Sequence, residues 1–245
     1  MSEKKIDLIR KMLAKAESTT PEEAQALTEA AMKMMARLGI DEAMVNASAK
    51  PDEREEMVEA SIEIDGRYRD GLLYVMFLPL EAFGTCFFTR RKSYDGKEMS
   101  LRIFGRKSQV ERMVIIGESL KLQSMSAMST WWRENKDLYD WHTKHQQFLV
   151  RRQFLISFGQ GAADRVRSEV SVIEQESSST ALVLANEVAD AESFALRGIE
   201  GDEFKKARRL KSGDSWAHQG GTAAGRRANV GTTQVGGNSQ RLIGA

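Results

Sequence analysis

His142 and His145 stand three residues apart in YDWHTKH, with Asp140 close by, and their types and spacing suggest metal chemistry. On a helix the two rings would share a face. A zinc site, however, wants three or four ligands, and only Cys86 and His218 remain as obvious further donors. The zinc-protease pattern His-Glu-x-x-His is absent, so we read the pair as surface or structural histidines. GQGAAD, from Gly159 to Asp164, offers two glycines where the dinucleotide fingerprint needs three between a strand and a helix. Here they fall inside a predicted helix, where small residues let helices pack closely. There is no Walker loop and no Gly-x-Ser-x-Gly elbow. No pair of carboxylates is assigned to acid–base work by spacing alone. Cys86 sits between apolar residues and reads as a buried small hydrophobe. No catalytic residue, metal or cofactor is assigned.

The cations form the stronger pattern. Arg90, Arg91, Lys92 and Lys97 flank a turn at Asp95-Gly96, and Arg102, Arg106 and Lys107 follow at a strand end and a helix start. The helix N-terminus adds a dipole favourable to phosphate. Arg208, Arg209, Lys211, Arg226 and Arg227 extend the basic set into a glycine-studded C-terminal tail. Together they could form an electrostatic footprint for nucleic acid; the plain alternative is a solvated hairpin. Trp131, Trp132, Tyr139 and Trp141 gather near one helix end. Such rings can stack on single-stranded bases, but packing in a core or an oligomer is the preferred reading, with one tryptophan entering the core and the other meeting a neighbour. From Asp41 to Asp65 there are nine acids and two bases, and from Lys205 to Ala245 eight bases and one acid. Opposed blocks of this kind mark an interaction tail, or a tail that folds back on its own acidic segment.

The elements that must carry these residues are legible from period and punctuation. Ile6, Ile9, Leu13 and Ala16 share a helical face. STTPEEA ends that helix and starts another, with Thr20 as N-cap, Pro21 at the first helical position and Glu23 completing a capping box. Leu27, Ala31, Met34, Met35 and Leu38 continue the second stripe until Gly39, read as its left-handed stop. VEASIEI alternates as a strand, GLLYVMFLPL reads as a buried helix, and GTCFFTRR and MSLRIFG read as strands joined through the Asp95-Gly96 turn. A long helix follows from Ser108, its N-cap, and a second covers about Lys144 to Glu176. ALVLANE reads as a short strand and Val188 to Arg197 as a short helix. The expected fold is α+β, with a helical hairpin at 1–40, an acidic linker at 41–57, an α+β domain at 58–204 and a flexible basic tail at 205–245. That domain has a small antiparallel sheet and long packed helices. Ordering the tail would cost roughly 1–2 kcal/mol per residue, so it is expected to be a contact element rather than part of the core.

The residues of the first hairpin carry a family resemblance. IRKMLAKAESTTPEEAQALTEAAMKMMARLGID, about Ile6 to Asp41, resembles the signature of the Domain of Unknown Function 2786 family, including Arg10, Leu13, Ala14, Ala16, Glu23, Ala24, Ala30 and Gly39. LRIFGRKSQVERM, RRQFLISFGQGAADRV and AHQGGTAAGRRANVG resemble the region that often follows this hairpin in phage and mobile-element proteins. The resemblance implies mobile DNA as the genetic setting and supplies no catalytic residues. The hairpin departs from the family in its methionines, Met12, Met32, Met34 and Met35, which we read as core filling.

Composition bounds the rest. A chain 41% hydrophobic and 29% charged can build a core and is not wholly disordered. No apolar run approaches a membrane span, the N-terminus shows no secretory signal, and a single cysteine excludes an internal disulfide. A cytoplasmic location in a host cell is expected, with the virion as the second place. The expected function is a non-enzymatic phage or mobile-element accessory protein that contacts nucleic acid through the basic hairpin and tail. The alternative is an assembly protein whose tail orders on a neighbouring subunit, with a phage protein, a host protein or a second copy as partner. A hydrolase whose site assembles only in the fold is the third reading.

Overall fold

A computed structural model of the chain describes residues 21–50, 52–92, 99–176, 178–198 and 213–228, together with 11, 12 and 15. The expected first helix, the Thr20 cap, the Asp95-Gly96 turn and most of the tail lie outside these residues. The α+β class holds. Strands β1 (Met57–Ile64), β2 (Phe87–Lys92) and β3 (Met99–Arg106) form one antiparallel sheet with β3 in the middle. The register follows the alternation of apolar residues: Ile62 faces Leu101, and Phe88 faces Ile103. Ile62, Ile64, Met99, Leu101 and Ile103 are all buried in the main core. A one-residue slip would turn this whole set to the opposite face of the sheet.

Helices cover both faces. Helix α1 spans Pro21–Ser48, α2 Arg69–Glu81, α3 Lys107–Asn135, α4 Lys144–Glu176, α5 Ser178–Gly198 and α6 Ser215–Arg226, with a 3₁₀ turn at Lys136–Tyr139. Buried Leu72, Val75, Met76 and Leu80 of α2 join Val110, Met113, Ile116 and Leu120 of α3 in the main core. On the other side of the sheet, Phe104 and Phe87 pack against Ala191, Phe194 and Ala195 of α5.

Four expectations are corrected. Gly39 does not end α1, which continues nine residues further to Ser48. It has no left-handed backbone; its missing side chain instead admits Arg112, whose Nη1 would lie 3.2 Å from a Cβ there. The first part of the expected acidic linker is therefore helical, and Ile40 and Ala43 are buried. ALVLANE is helical and belongs to α5. Leu184, Glu187, Ala191 and Ala195 are buried at helical intervals along it, and that longer period overrides the local strand propensity. Ser108 is not the cap of α3. Arg106 occupies that position without a side-chain capping bond, and Glu55 caps the helix from the loop before β1. Its carboxylate accepts from the Ser108 backbone N–H at 2.9 Å and from the Ser108 hydroxyl at 2.7 Å.

The fourth correction concerns the tail. Residues 215–226 form α6, capped by Asp214, which accepts from the Ala217 N–H at 2.8 Å. This helix lies directly on α4. A Cβ at Gly161 would collide with the Thr222 carbonyl, and Cβ atoms at Gly221 and Gly225 would collide with the carbonyls of Phe154 and Phe158. Bare backbone on both helices permits this approach, so the glycines that read as flexibility serve as a packing surface. GQGAAD packs helices as expected, and does so on two sides, since Gly159 meets the Tyr74 backbone of α2.

Candidate nucleic-acid interface

The structure separates the expected basic residues into distinct groups. Arg102 makes two bonds to the Glu59 carboxylate, at 2.6 and 2.8 Å, and lies over the Phe104 ring. The hydrogen bond from Arg102 holds the Glu59 carboxyl below its usual range, against the upward push of burial. Arg106 is buried, paired with Glu187 at 3.2 Å and Asp190 at 3.4 Å, and donates to the Glu55 carbonyl at 2.7 Å. Lys107 pairs with Glu56 at 3.4 Å. Arg112, outside the expected set, is buried against Glu42. The acidic block therefore finds partners in the bases of β3 and α3. The described part of the tail instead joins the body through its glycines and through hydrogen bonds such as Tyr139 to Asp214 and Ser157 to His218.

Arg90, Arg91 and Lys92 are exposed on β2, an edge strand. None of the three has an ion-pair partner among the described residues. Arg226 and Arg227 are exposed at the C-terminal end of α6. Lys97, Arg208, Arg209 and Lys211 lie outside the described residues.

The register brings a second group of cations to the same end of the sheet. Lys92 and Ile64 both pair with Met99, one from each side. The end of β1 is thus about 10 Å from the end of β2, two strand spacings away. The chain leaves β1 there and within four residues reaches Arg67 and Tyr68. Arg67 lies 4.7 Å over the Phe148 ring, and Tyr68 stacks on the same ring at 5.2 Å. Arg151, one turn along α4 from Phe148, lies 4.6 Å over Trp132 and 5.8 Å from Tyr68. A row Arg67–Phe148–Tyr68–Arg151–Trp132 results, in which guanidinium groups rest on ring faces. Neither arginine has a carboxylate within ion-pair distance among the described residues. Asp65 and Asp70 are exposed on either side of Arg67 in the chain.

Sequence reasoning missed this row because its members come from three separate segments. The available signals were the adjacency of Arg67 and Tyr68 and the three-residue spacing of Phe148 and Arg151. Both tryptophans are half-buried against the main core, so the expected division between core and neighbour does not occur. Trp131 packs on Phe154 at 5.1 Å, and Trp132 meets Tyr139 at 5.6 Å as well as Arg151. The Tyr139 hydroxyl donates to Asp214, and burial, followed by that bond, raises its pKa far above the ordinary phenol value.

The residues first considered for metal chemistry are dispersed. His142 lies between the Tyr139 and Trp141 rings, and His145 faces Phe148. Among the described residues no three His, Cys, Asp or Glu side chains are grouped to hold a metal ion. Cys86 is buried as expected, and burial pushes its thiol up to about 12.

Residues 4–42 match the family model described as "Protein of unknown function (DUF2786)". No curated protein and no solved structure matches the chain. Within the matched stretch, the Gly39 carbonyl accepts from Gln109 at 3.0 Å and Glu42 pairs with Arg112, so its C-terminal end is fastened to α3. No helix among the described residues is long and apolar enough to cross a membrane.

Proposed function

We propose that the protein is a non-enzymatic accessory protein that contacts nucleic acid through the end of its sheet. Arg90, Arg91, Lys92, Arg67 and Arg151 would meet phosphates, and the exposed parts of Tyr68, Phe148 and Trp132 would meet unstacked bases. The observation that carries this reading is the location of Arg67 and Arg151 on aromatic faces, at the sheet end that also bears the unpaired cations of β2. Single strands suit such a surface, because any base offers a face to a ring while the cations follow the backbone. A phage or mobile-element setting is part of the proposal, and its support is the resemblance of the first hairpin and of the three downstream stretches.

The test is fluorescence anisotropy of a labelled single-stranded oligonucleotide across a salt series. Affinity should fall steeply with salt, and replacing Arg67 and Arg151 together by alanine should make the log–log slope shallower by about 1.4, roughly 0.7 for each lost phosphate contact. An unchanged slope, or no binding at low salt, defeats the proposal.

The assembly reading has an observation of its own. Leu138, Trp141 and Trp216 are exposed large apolar residues, with Trp141 80% accessible, and Trp216 bonds to Asn135 at the end of α3. A stable oligomer in light scattering that protects these tryptophans would favour assembly with a second copy.

A further inference from the structure

The close contact of α4 and α6 creates a polar groove remote in composition from the sheet-end row. Gln160, Asp164 and Arg167 recur at helical spacing along α4, as do His218, Thr222 and Arg226 along α6. The glycine-mediated approach sets the two rows side by side over Leu78, around a groove of about 560 Å³. That volume is within the range of small-molecule sites.

The polar groups of this groove are mostly donors. Gln153 Nε2 donates to the Ser157 hydroxyl at 3.0 Å, and the same hydroxyl lies 2.8 Å from His218 Nδ1, within hydrogen-bond reach. When the hydroxyl donates to Nδ1, the imidazole carries a proton on Nε2, the nitrogen left for the groove. Ser157 is completely buried, which makes it an orienting group rather than a nucleophile. The Thr222 hydroxyl is buried without a hydrogen-bond partner. Asp164 is paired with Arg167 at 3.0 Å, and Glu81 also feels Arg167, which offsets part of the rise that burial imposes on its carboxyl. The acids are thus associated with Arg167. Arg226 has no ion-pair partner among the described residues, and the charged residues lining the groove, Asp164, Arg167 and Arg226, carry one net positive charge.

We propose that this groove binds a phosphate ester of about nucleotide size. The Arg226 guanidinium supplies the fork that phosphate oxygens match. His218 Nε2–H adds a neutral donor, and Gln160 and Leu78 line the space left for the esterified group. The groove shares no residue with the row proposed for nucleic acid, so either proposal can fail alone. The phosphate has two candidate sources, a free nucleotide and the end of a strand.

The chain has three histidines, so the imidazole proton signals are few enough to assign by a His218→Gln variant. Adenosine 5′-monophosphate, titrated at constant ionic strength, should move the His218 signals saturably, and adenosine should not. Arg226→Ala should weaken the response about tenfold or more, the order expected for a lost charge-assisted bond. Arg226→Lys should fall between the two proteins, and an unchanged melting temperature in both variants shows that α6 is still docked. A 5′-phosphorylated oligonucleotide that displaces the nucleotide, where its 5′-hydroxyl counterpart does not, assigns the site to strand ends. Failure of both to displace it assigns the site to free nucleotides. Equal shifts with adenosine, or a full response in Arg226→Ala, would overturn the proposal.

Discussion

Helices α5 and α6 reach the body of the protein by opposite means. Helix α5 is tied to the sheet by charge: Arg106 of β3 reaches Glu187 and Asp190, beside an aromatic contact centred on Phe104. Helix α6 meets α4 chiefly through bare backbone, with Arg165 of α4 donating to the Arg226 carbonyl at 2.8 Å at its C-terminal end. Its glycines and those of α4 remove side chains from the junction, and backbone meets backbone. Both junctions are built from residue types that composition assigns to the surface. Their difference teaches that a cation or a glycine is structural when its partner is fixed, and that partner lies far away in the chain. Arg106 and Glu187 are 81 positions apart, and Gly161 and Thr222 are 61.

The charged junction should break hardest. Arg106→Ala would leave Glu187 buried without its counter-ion, which costs about 3–5 kcal/mol. The loss should appear in denaturant unfolding as a lower midpoint. Replacing Arg106 by Met and Glu187 by Leu together should recover most of that loss, because a buried pair exchanged as a unit for apolar side chains is often close to neutral. If the double variant is as unstable as Arg106→Ala, the buried charge is not the cause and the bond to the Glu55 carbonyl becomes the explanation.

The glycine junction should break by addition. Gly161→Ala places a methyl group against the Thr222 carbonyl, and overpacking of this kind costs about 1–3 kcal/mol. The same substitution at Gly66, whose Cβ would meet nothing within 4 Å, tests backbone strain alone because that residue has φ of +80°. Thermal unfolding should show destabilisation in both, with faster proteolysis of the 213–228 segment only in Gly161→Ala.

Legibility in the sequence follows the range of the interaction. The strands, α2 and the limits of α4 were readable because their signals are local: alternation in VEASIEI, an apolar run, a helical period from Lys144 to Glu176. The end of α1 was misread because glycine usually marks a helix stop, and only Arg112, over 70 residues away, explains why Gly39 lies inside a helix. The helix within residues 213–228 escapes the sequence for the same reason. Its ordering cost was sound, but the surface that offsets it, on Phe154 and Phe158 of α4, is invisible in residues 213–228 themselves. The candidate interface was half legible. Arg90, Arg91 and Lys92 stood out as a charge run, whereas Arg67 and Arg151 became part of it only through the sheet register. Arg102 and Arg106 carried the same signal as Arg90, and only cross-strand and sheet-to-helix partners distinguish them.

The smallest effect is expected at Arg102 and Glu59, an exposed counterpart of the buried Arg106 pair. Glu59 is 39% accessible, so solvent screening limits the pair to less than about 1 kcal/mol. Its pH dependence nevertheless has a definite sign. The folded-state carboxyl lies below its ordinary value of 4.5 chiefly because Arg102 bonds to the charged form. The unfolded chain therefore takes up its proton first as pH falls. The pair contributes fully above pH 4.5, and the contribution is lost as pH drops through the lowered folded-state value. Arg102→Gln should be less stable than the parent protein at pH 7 by a small amount, and the two unfolding midpoints should converge as pH falls below 4.5. A gap that persists unchanged at low pH would assign the effect to the contact of Arg102 with the Phe104 ring, which does not titrate, and would make this pair as structural as the buried one.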